Sequence, residues 1–282
     1  HSNCSSSMIG IDLAVDNIRQ GKSDYALVGA STIHSLVNRG YVHSKGLNFS
    51  RSGHISPFDK KASGMIGGEG VGVVLLKNAQ KAIEDKDNIY SIITESSTNN
   101  DGNEKAGFYA PSIDGQFNVI NKTINTSNTI DFIETHGTGT LIGDPIEVEA
   151  LKKVFKNNKE NSCALGSVKA NIGHLDTLSG LISIIKASLM IKKKIIPPQI
   201  NFDTLNPKIT LEHTPFYINK KAVSLINKKG PIVGGVSSFG IGGTNSHVQL
   251  KEFINNEPLS TIKNERYIIP VSAKDSTTLN KY

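Results

Sequence analysis

The fold is decided by the stretch TIDFIETHGTGTLIGDPIEVEALKKVFK, residues 129–156, which places a predicted strand just before a predicted helix. The apolar start, TIDFIETHG at 129–137, predicts a buried strand. A turn rich in glycine and threonine follows, and GDPIEVEALKKVFK at 143–156 predicts a helix. We expect Asp144 to be its N-cap, because Pro145 would then occupy the first helical position, which suits proline.

The same alternation of strands and helices extends along the chain in both directions. Serines begin and Gly21 ends the first predicted helix, and the strands that follow it have the apolar composition of strands buried on both faces. Further helices are predicted at 5–20 and 179–194, and strands at 24–32, 71–77, 88–98 and in both arms of 230–250. This order predicts an α/β protein with buried sheets and outer helices.

Composition limits the classes of protein that the chain can represent. Its 282 residues are 37% hydrophobic and 20% charged, enough for one large domain or two smaller ones. No apolar run is long enough to span a membrane, and the first residues lack the layout of a signal peptide. Two cysteines fit a reducing, cytoplasmic setting. The net charge of +6 comes without a nucleic-acid-binding motif, so we expect no nucleic acid; an acidic protein partner fits the charge equally well.

Three reactive side chains lie far apart in glycine- or serine-rich strings: Cys4 in NCSSS, His136 in ETHGTGT and His174 in KANIGHLD. A thiol and two imidazoles predict a Cys/His/His active site for acyl transfer through a thioester. Because Cys4 directly precedes a predicted helix, we expect the helix dipole to lower the pKa of its thiol. Cys163, in an apolar strand, is expected to be buried and inert.

The residues around these groups suggest how a substrate could be held. Thr138 and Thr140 offer hydroxyls beside two glycines, a surface that suits an amide-bearing arm. The turn GIGGTN at 240–245 is expected to approach the nucleophile and to direct N–H groups at an oxyanion. The histidine spacing does not match a metal motif, and no phosphate-binding loop occurs. The other histidines are interpreted as surface or packing residues: His1, His34, His43, His54, His213 and His247.

Taken together, the strings resemble one family. NCSSS, ETHGTGTLIGDPIEVEAL, GSVKANIGHLDTLSG and GGVSSFGIGGTNSHV are similar, in order and spacing, to the β-ketoacyl synthase domain of type I modular polyketide synthases and animal-type fatty acid synthases. The resemblance implies a thiolase-like fold, a five-layer αβαβα sandwich that is normally a homodimer. It implies that residues 1–88 are the remainder of the N-terminal half, 89–252 the C-terminal half and 253–282 the start of a linker in which YIIPVSAK begins a new strand.

The resemblance also implies a role for each site residue. Cys4 would be the nucleophile, and His136 and His174 would promote decarboxylation and stabilise the enolate. The oxyanion donors would be the backbone N–H groups of Cys4 and Ile241. The family binds no cofactor other than the phosphopantetheine arm of its partner, an acyl carrier protein. The substrate-binding residues implied are Thr138, Thr140, Lys169 and Phe239.

The chain departs from the family pattern near its nucleophile. It begins HSNCSSS where the family usually reads DTACSSS, and the family has a long stretch before the cysteine. We expect the N-terminal part of the first half-fold to come from a separate polypeptide, or to have been lost in cloning or gene prediction. Because His136 is retained, decarboxylative Claisen condensation is favoured. The alternatives are a ketosynthase that transfers acyl groups without elongation and a non-catalytic half-fold that binds a partner.

Overall fold

The computed structural model describes residues 1–33, 40–44, 46–103, 105, 111–124, 129–254 and 272–280. Predicted helices and strands occur close to their expected places. The helices are α1 Ser6–Arg19, α2 Ala79–Glu84, α3 Ile113–Asn121, α4 Gly143–Val154, α5 Lys169–Ile172, α6 Ser179–Lys193 and α7 Ser276–Leu279. The strands are β1 Tyr25–Thr32, β2 Gly70–Lys77, β3 Ile92–Asn100, β4 Phe132–Glu134, β5 Cys163–Gly166, β6 Ile195–Ile196, β7 Phe216–Tyr217, β8 Val223–Ser224, β9 Val233–Phe239 and β10 Thr244–Lys251.

A six-stranded mixed sheet forms the centre of the molecule, in the order β3-β10-β9-β4-β5-β7. Strands β9, β4, β5 and β7 run parallel, and β10 is antiparallel to both of its neighbours. Every residue of β9 is buried. The ring of Phe132 on β4 lies against Gly234 on β9, where a Cβ atom would be only 2.2 Å from the ring. Glycine at 234 therefore lets this aromatic side chain fill the space over the sheet.

Helices cover both faces of this sheet. On one face, α3 and α4 enclose a core that contains Val119, Leu151 and Leu165. On the other face, α1 and α6 pack so closely that a Cβ atom at Gly180 would lie 2.2 Å from the side chain of Met8. The Ser7 hydroxyl also accepts a hydrogen bond from the Leu181 N–H at 3.0 Å. These contacts of the first helix hold the segment around Cys4 against the body of the molecule.

Strands β1 and β2 pair with each other on the far side of α1 and α6. Their inner face, with Val28 at its centre, packs against the helices. Their outer face is open: five apolar side chains on it are 58–72% exposed, namely Tyr25, Leu27, Val71, Val73 and Leu75. The prediction that both strands are buried on both faces is therefore wrong for this chain. The layers run α3/α4, central sheet, α1/α6 and β1/β2, which is four of the five layers of a thiolase-like sandwich.

The starts of two helices differ from the sequence-based expectations. Helix α4 begins at Gly143 with Ile142 as its N-cap, so the prediction that Asp144 caps it is wrong. No serine side chain caps α1, although Gly21 does follow its end with a positive φ of 68°. Most of the strand predicted at 267–274 and most of the linker 253–282 lie outside the described residues. No helix in the described ranges is both long and apolar enough to cross a bilayer.

Candidate active site

The fold brings together the three reactive side chains that are distant in sequence. Cys4 lies in a short 3-10 turn before α1, His136 follows β4, and His174 follows α5. The sulfur of Cys4 and one ring nitrogen of each histidine all lie within 4.8 Å of one another. The two imidazole rings meet edge to face, with centroids 5.6 Å apart and an interplanar angle of 83°. The structure thus brings all three groups into one site.

The thiol of Cys4 is protonated at neutral pH. Its pKa is raised to about 11, first by burial and then by the carboxylate of Asp176, whose Oδ1 lies 3.8 Å from Sγ. Lys169 and the backbone N–H groups of Ile241 and Cys4 act in the opposite direction and lower the pKa. The backbone N–H of Cys4 at the helix start does lower the thiol pKa, but the net pKa is raised, because the loss of water around the sulfur outweighs the nearby donors.

The turn after β9 lies against Cys4. The backbone N–H groups of Ile241 and of Cys4 itself, which are the two predicted oxyanion donors, lie close enough to the sulfur to lower its pKa. Ser238 Oγ donates to the Cys4 carbonyl at 2.7 Å. A Cβ atom at Gly240 would lie 2.4 Å from the Ser2 carbonyl oxygen, so no side chain fits there. The close approach predicted for this glycine-rich turn is confirmed.

Both imidazoles hold their proton in the same position. The Phe239 N–H donates to His136 Nδ1 at 3.4 Å, and the Asp176 N–H donates to His174 Nδ1 at 2.9 Å. A backbone N–H can only donate, so each Nδ1 is an acceptor and the ring proton lies on Nε2. Burial, followed by Lys169, lowers the pKa of His174 to about 3 and that of His136 well below its usual value. At neutral pH each ring is therefore an uncharged Nε2–H donor.

Two carboxylates that the sequence analysis did not assign to the site hold the GTGT turn. Glu147 accepts the N–H groups of His136 and Gly137 at 2.8 and 2.9 Å. Asp144 accepts the N–H groups of Gly139 and Phe58, which explains why it does not cap α4. Burial raises the pKa of Glu147 to about 7 and that of Asp144 to about 6. Their i, i+3 spacing after the turn is the signal that could have revealed them.

Lys169 supplies positive charge beneath the site. Its side chain is only 2% exposed, and burial lowers its pKa while Glu134 and Glu147 partly offset that effect. Glu134 also accepts the Val168 N–H at 2.5 Å and pairs with Lys186 at 2.6 Å. The charge of Lys169 lowers the pKa of both histidines and of Cys4. Lys169 therefore influences the site electrostatically.

A cavity of about 100 Å³ opens onto the three reactive groups. The hydroxyls of Thr138 and Thr140 are 3.3 Å apart, and the ring of Phe239 lies 5.7 Å from that of His136. Cys4, His136 and His174 are residue types that can bind zinc. Zinc binding would need a Cys4 thiolate, which burial disfavours, and would place the metal ion near the positive charge of Lys169. The predicted residues lining this cavity are Cys4, His136, Thr138, Thr140, His174, Phe239 and Ile241.

Family models match successive parts of the chain. The model of the β-ketoacyl synthase N-terminal domain matches residues 1–82, that of the C-terminal domain matches 90–203, and that of the ketoacyl-synthetase C-terminal extension matches 206–282. The chain belongs to the β-ketoacyl synthase family. The ketosynthase is 47% identical, over its whole length, to polyketide synthase PksN of Bacillus subtilis, of which it spans 5%. Relatives of this kind are modular polyketide synthases.

Solved ketosynthase structures share this fold. Ketosynthase twelve of the bacillaene polyketide synthase of Bacillus amyloliquefaciens is 45% identical, with a TM-score of 0.91 over 100% of this chain and 50% of that one. The ketosynthase from module 1 of the bacillaene synthase of the same species gives 42% identity and a TM-score of 0.87, covering 100% of this chain and 51% of that chain. The present ketosynthase chain thus spans about half the length of each of these structures.

Proposed function

We propose that this ketosynthase catalyses decarboxylative Claisen condensation between an acyl chain on Cys4 and a malonyl-type thioester on an acyl carrier protein. One observation supports this most strongly: two neutral Nε2–H donors and two backbone N–H groups surround a single thiol. Condensation needs a nucleophile that forms a thioester and separate donors for the carbonyl and enolate oxygens. A site built only for hydrolysis would need a base beside the thiol, and here both imidazole Nδ1 atoms accept backbone N–H groups.

The first step loads the enzyme. Cys4 Sγ attacks the carbonyl carbon of an acyl thioester, and the N–H groups of Cys4 and Ile241 stabilise the oxyanion. The bond to the sulfur of the carrier arm then breaks, and the departing thiolate takes up the proton that Cys4 loses. Since the resting thiol has a pKa of about 11, sulfur attack and proton loss are coupled in this step.

The second step makes the carbon–carbon bond. A malonyl-type thioester places its carbonyl oxygen against the Nε2–H groups of His136 and His174. Its carboxylate leaves as carbon dioxide, and the electron pair passes to the α-carbon as an enolate that these two donors stabilise. The α-carbon then attacks the Cys4 thioester, and Cys4 departs as a thiolate that recovers a proton from solvent water. No metal or redox group is needed for this balance.

The proposed partners follow from this chemistry and from the fold. The phosphopantetheine arm would contact Thr138, Thr140 and Phe239, with Lys169 acting on His174, and no further cofactor is bound. The open face of β1 and β2 would be covered by the remainder of the ketosynthase fold, on this or another polypeptide, within a dimer. We propose the divisions 1–88, 89–252 and 253–282 for its parts, and a cytoplasmic location for the assembly.

Substitution of His136 tests the proposal. The protein is incubated with an acyl thioester and a malonyl-carrier thioester, and mass spectrometry follows the Cys4 adduct, carbon dioxide and product. His136→Ala should keep the adduct but lose decarboxylation, whereas His213→Ala, at an exposed histidine, should change neither. Condensation by His136→Ala would contradict the role of His136. Acylation without elongation by the unaltered protein would indicate a transferring ketosynthase, and no adduct at all would indicate a non-catalytic partner.

A further inference from the structure

Gln116 on α3 lines the same cavity as Cys4 and His136, yet no motif had singled it out. Its side chain is only 1% exposed. The Oε1 atom of its amide is buried and finds no hydrogen-bond donor among the described residues. Buried polar atoms in native proteins are nearly always paired, so an unpaired carboxamide beside a reaction cavity calls for a ligand.

Neighbouring residues restrict what this ligand can be. The cavity is also lined by Thr138 and Thr140, and the Thr140 hydroxyl accepts a hydrogen bond from the Gly143 N–H at the start of α4. A Cβ atom at Gly143 would lie only 2.5 Å from Thr140 Oγ1, so these threonines and the N-terminus of α4 are tightly packed. Helix α3 packs against α4 and brings Gln116 to this cavity from a second element. Hydroxyls and a primary amide together offer both donors and acceptors.

We propose that Gln116 is a specificity-determining residue that pairs with a secondary amide of the pantetheine arm, so that the site distinguishes amide-bearing thioesters from simple ones. This inference rests on the proposed function, because that function supplies the arm. A carboxamide matches a secondary amide, since each group has one acceptor oxygen and at least one N–H donor. A wholly apolar ligand would leave Oε1 unpaired and gain nothing from this residue.

The test measures binding and catalysis separately in the full chain. Dissociation constants are determined for pantetheine and for hexanethiol, which has no amide. Cys4 acylation is then followed with an acyl-pantetheine and with a hexyl thioester of the same acid. Gln116→Met keeps the size of the side chain but removes the amide, and should weaken pantetheine binding by about threefold to tenfold, the usual effect of one neutral hydrogen bond. It should raise KM for acyl-pantetheine to a similar extent, leave kcat unchanged and leave both hexyl compounds unaffected.

A matched control comes from Gln249→Met. Gln249 is equally buried, but its Oε1 accepts a hydrogen bond from Thr94, and it does not line the cavity. This variant should bind both thiols like the unaltered protein. Should Gln116→Met fail to fold, Gln116→Asn withdraws the amide by one methylene and should show the same preference loss to a smaller extent.

The outcomes separate this inference from the function on which it rests. Equal weakening of pantetheine and hexanethiol, no change in either, or failure of the unaltered chain to bind pantetheine would overturn the role of Gln116. The role of Gln116 would also be overturned if the effect of Gln116→Met depended on a hydroxyl group of the acyl chain and not on the amides of the arm. Gln116-dependent pantetheine binding without any Cys4 adduct would support the amide contact while contradicting the condensing activity.

Discussion

The central sheet and the β1–β2 pair are built from similar apolar strands, but their surroundings differ. The sheet lies between α3/α4 and α1/α6, so β9 is buried throughout. Within the described part of the chain, the β1–β2 pair has helices on one face only, and its outer side chains are exposed. The apolar sequence of a strand therefore predicts that both of its faces are covered, but it does not identify the part of the molecule that covers them.

The residues of the site come from these two different regions of the molecule. The central sheet and its loops provide both histidines, the GTGT turn and the glycine-rich turn. Cys4 lies just before α1, which belongs to the helix layer between this sheet and the β1–β2 pair. The reactive cavity forms where α1 meets the end of β9. Substitutions in the two regions should therefore have effects of different kinds.

The largest difference in unfolding free energy is expected when the same change, leucine to alanine, is made in each of the two regions. Leu165→Ala, at a fully buried position on β5, should lower the free energy of unfolding by about 2.7–5 kcal/mol, because it leaves a cavity in a closed core. Leu27→Ala, at a side chain that is 72% exposed on β1, should change it by less than about 0.5 kcal/mol. Urea unfolding of both variants measures the contrast. Equal losses would mean that the outer face of β1 is covered.

The next largest effect is expected at the junction of the two regions. Gly240→Ala places a Cβ atom against the Ser2 carbonyl and should cost about 1–3 kcal/mol of stability, because the segment that carries Ser2 and Cys4 must shift. Gly242→Ala is the control, since its nearest neighbour is 3.8 Å away. Thermal unfolding and Cys4 acylation should both be impaired in the first variant only. Normal acylation by Gly240→Ala would show that the turn can move without loss.

A smaller change is expected in the reactivity of the thiol. Asp176 raises the pKa of Cys4, so Asp176→Asn should lower that pKa and speed alkylation by iodoacetamide at pH 8. Burial contributes more than Asp176, so the gain should be less than the hundredfold that separates a pKa of about 11 from the usual 9.0. The pH profile of alkylation gives the pKa directly. A slower reaction in the variant would mean that Asp176 assists proton removal.

The smallest effect on stability is expected on the open face itself. Val73→Thr replaces an exposed methyl group with a hydroxyl and should change the unfolding free energy by less than about 0.5 kcal/mol. It should nevertheless reduce binding of a hydrophobic dye, because it interrupts the apolar outer face. Asn121→Lys, on the exposed side of α3, is a control that should leave dye binding unchanged. Unchanged dye binding in Val73→Thr would contradict an accessible apolar face.

Sequence predicted the elements well where the signal was local. The apolar period and basic last turn of α6, and the strand–turn–strand pattern of β9 and β10, depend on neighbouring residues only. The close approach of the 240–245 turn was also predictable, because three glycines occur there without a phosphate-binding context. The roles of Cys4, His136 and His174 stay predictions, although the fold brings them together.

Features that depend on distant residues could not be predicted in this way. The helix that adjoins Cys4 predicts a lowered thiol pKa, whereas the actual pKa depends mainly on burial by elements far along the chain. Asp144 has the local signature of an N-cap, but its carboxylate instead accepts hydrogen bonds from the N–H groups of Phe58 and Gly139. Gln116 carried no signal, because an amide in a helix becomes informative only when its unpaired oxygen lies beside a cavity.

The hairpin of β9 and β10 has a consequence for building hybrid synthases. Within four successive residues it anchors the Cys4 carbonyl through Ser238, orients His136 through Phe239 and reaches the sulfur through Ile241. A chimera whose crossover separates this hairpin from the segment around Cys4 would join halves with mismatched spacing. Exchange points that keep both from one parent should preserve the alignment, so recombination within ketosynthases is best placed where neither segment is divided from the other.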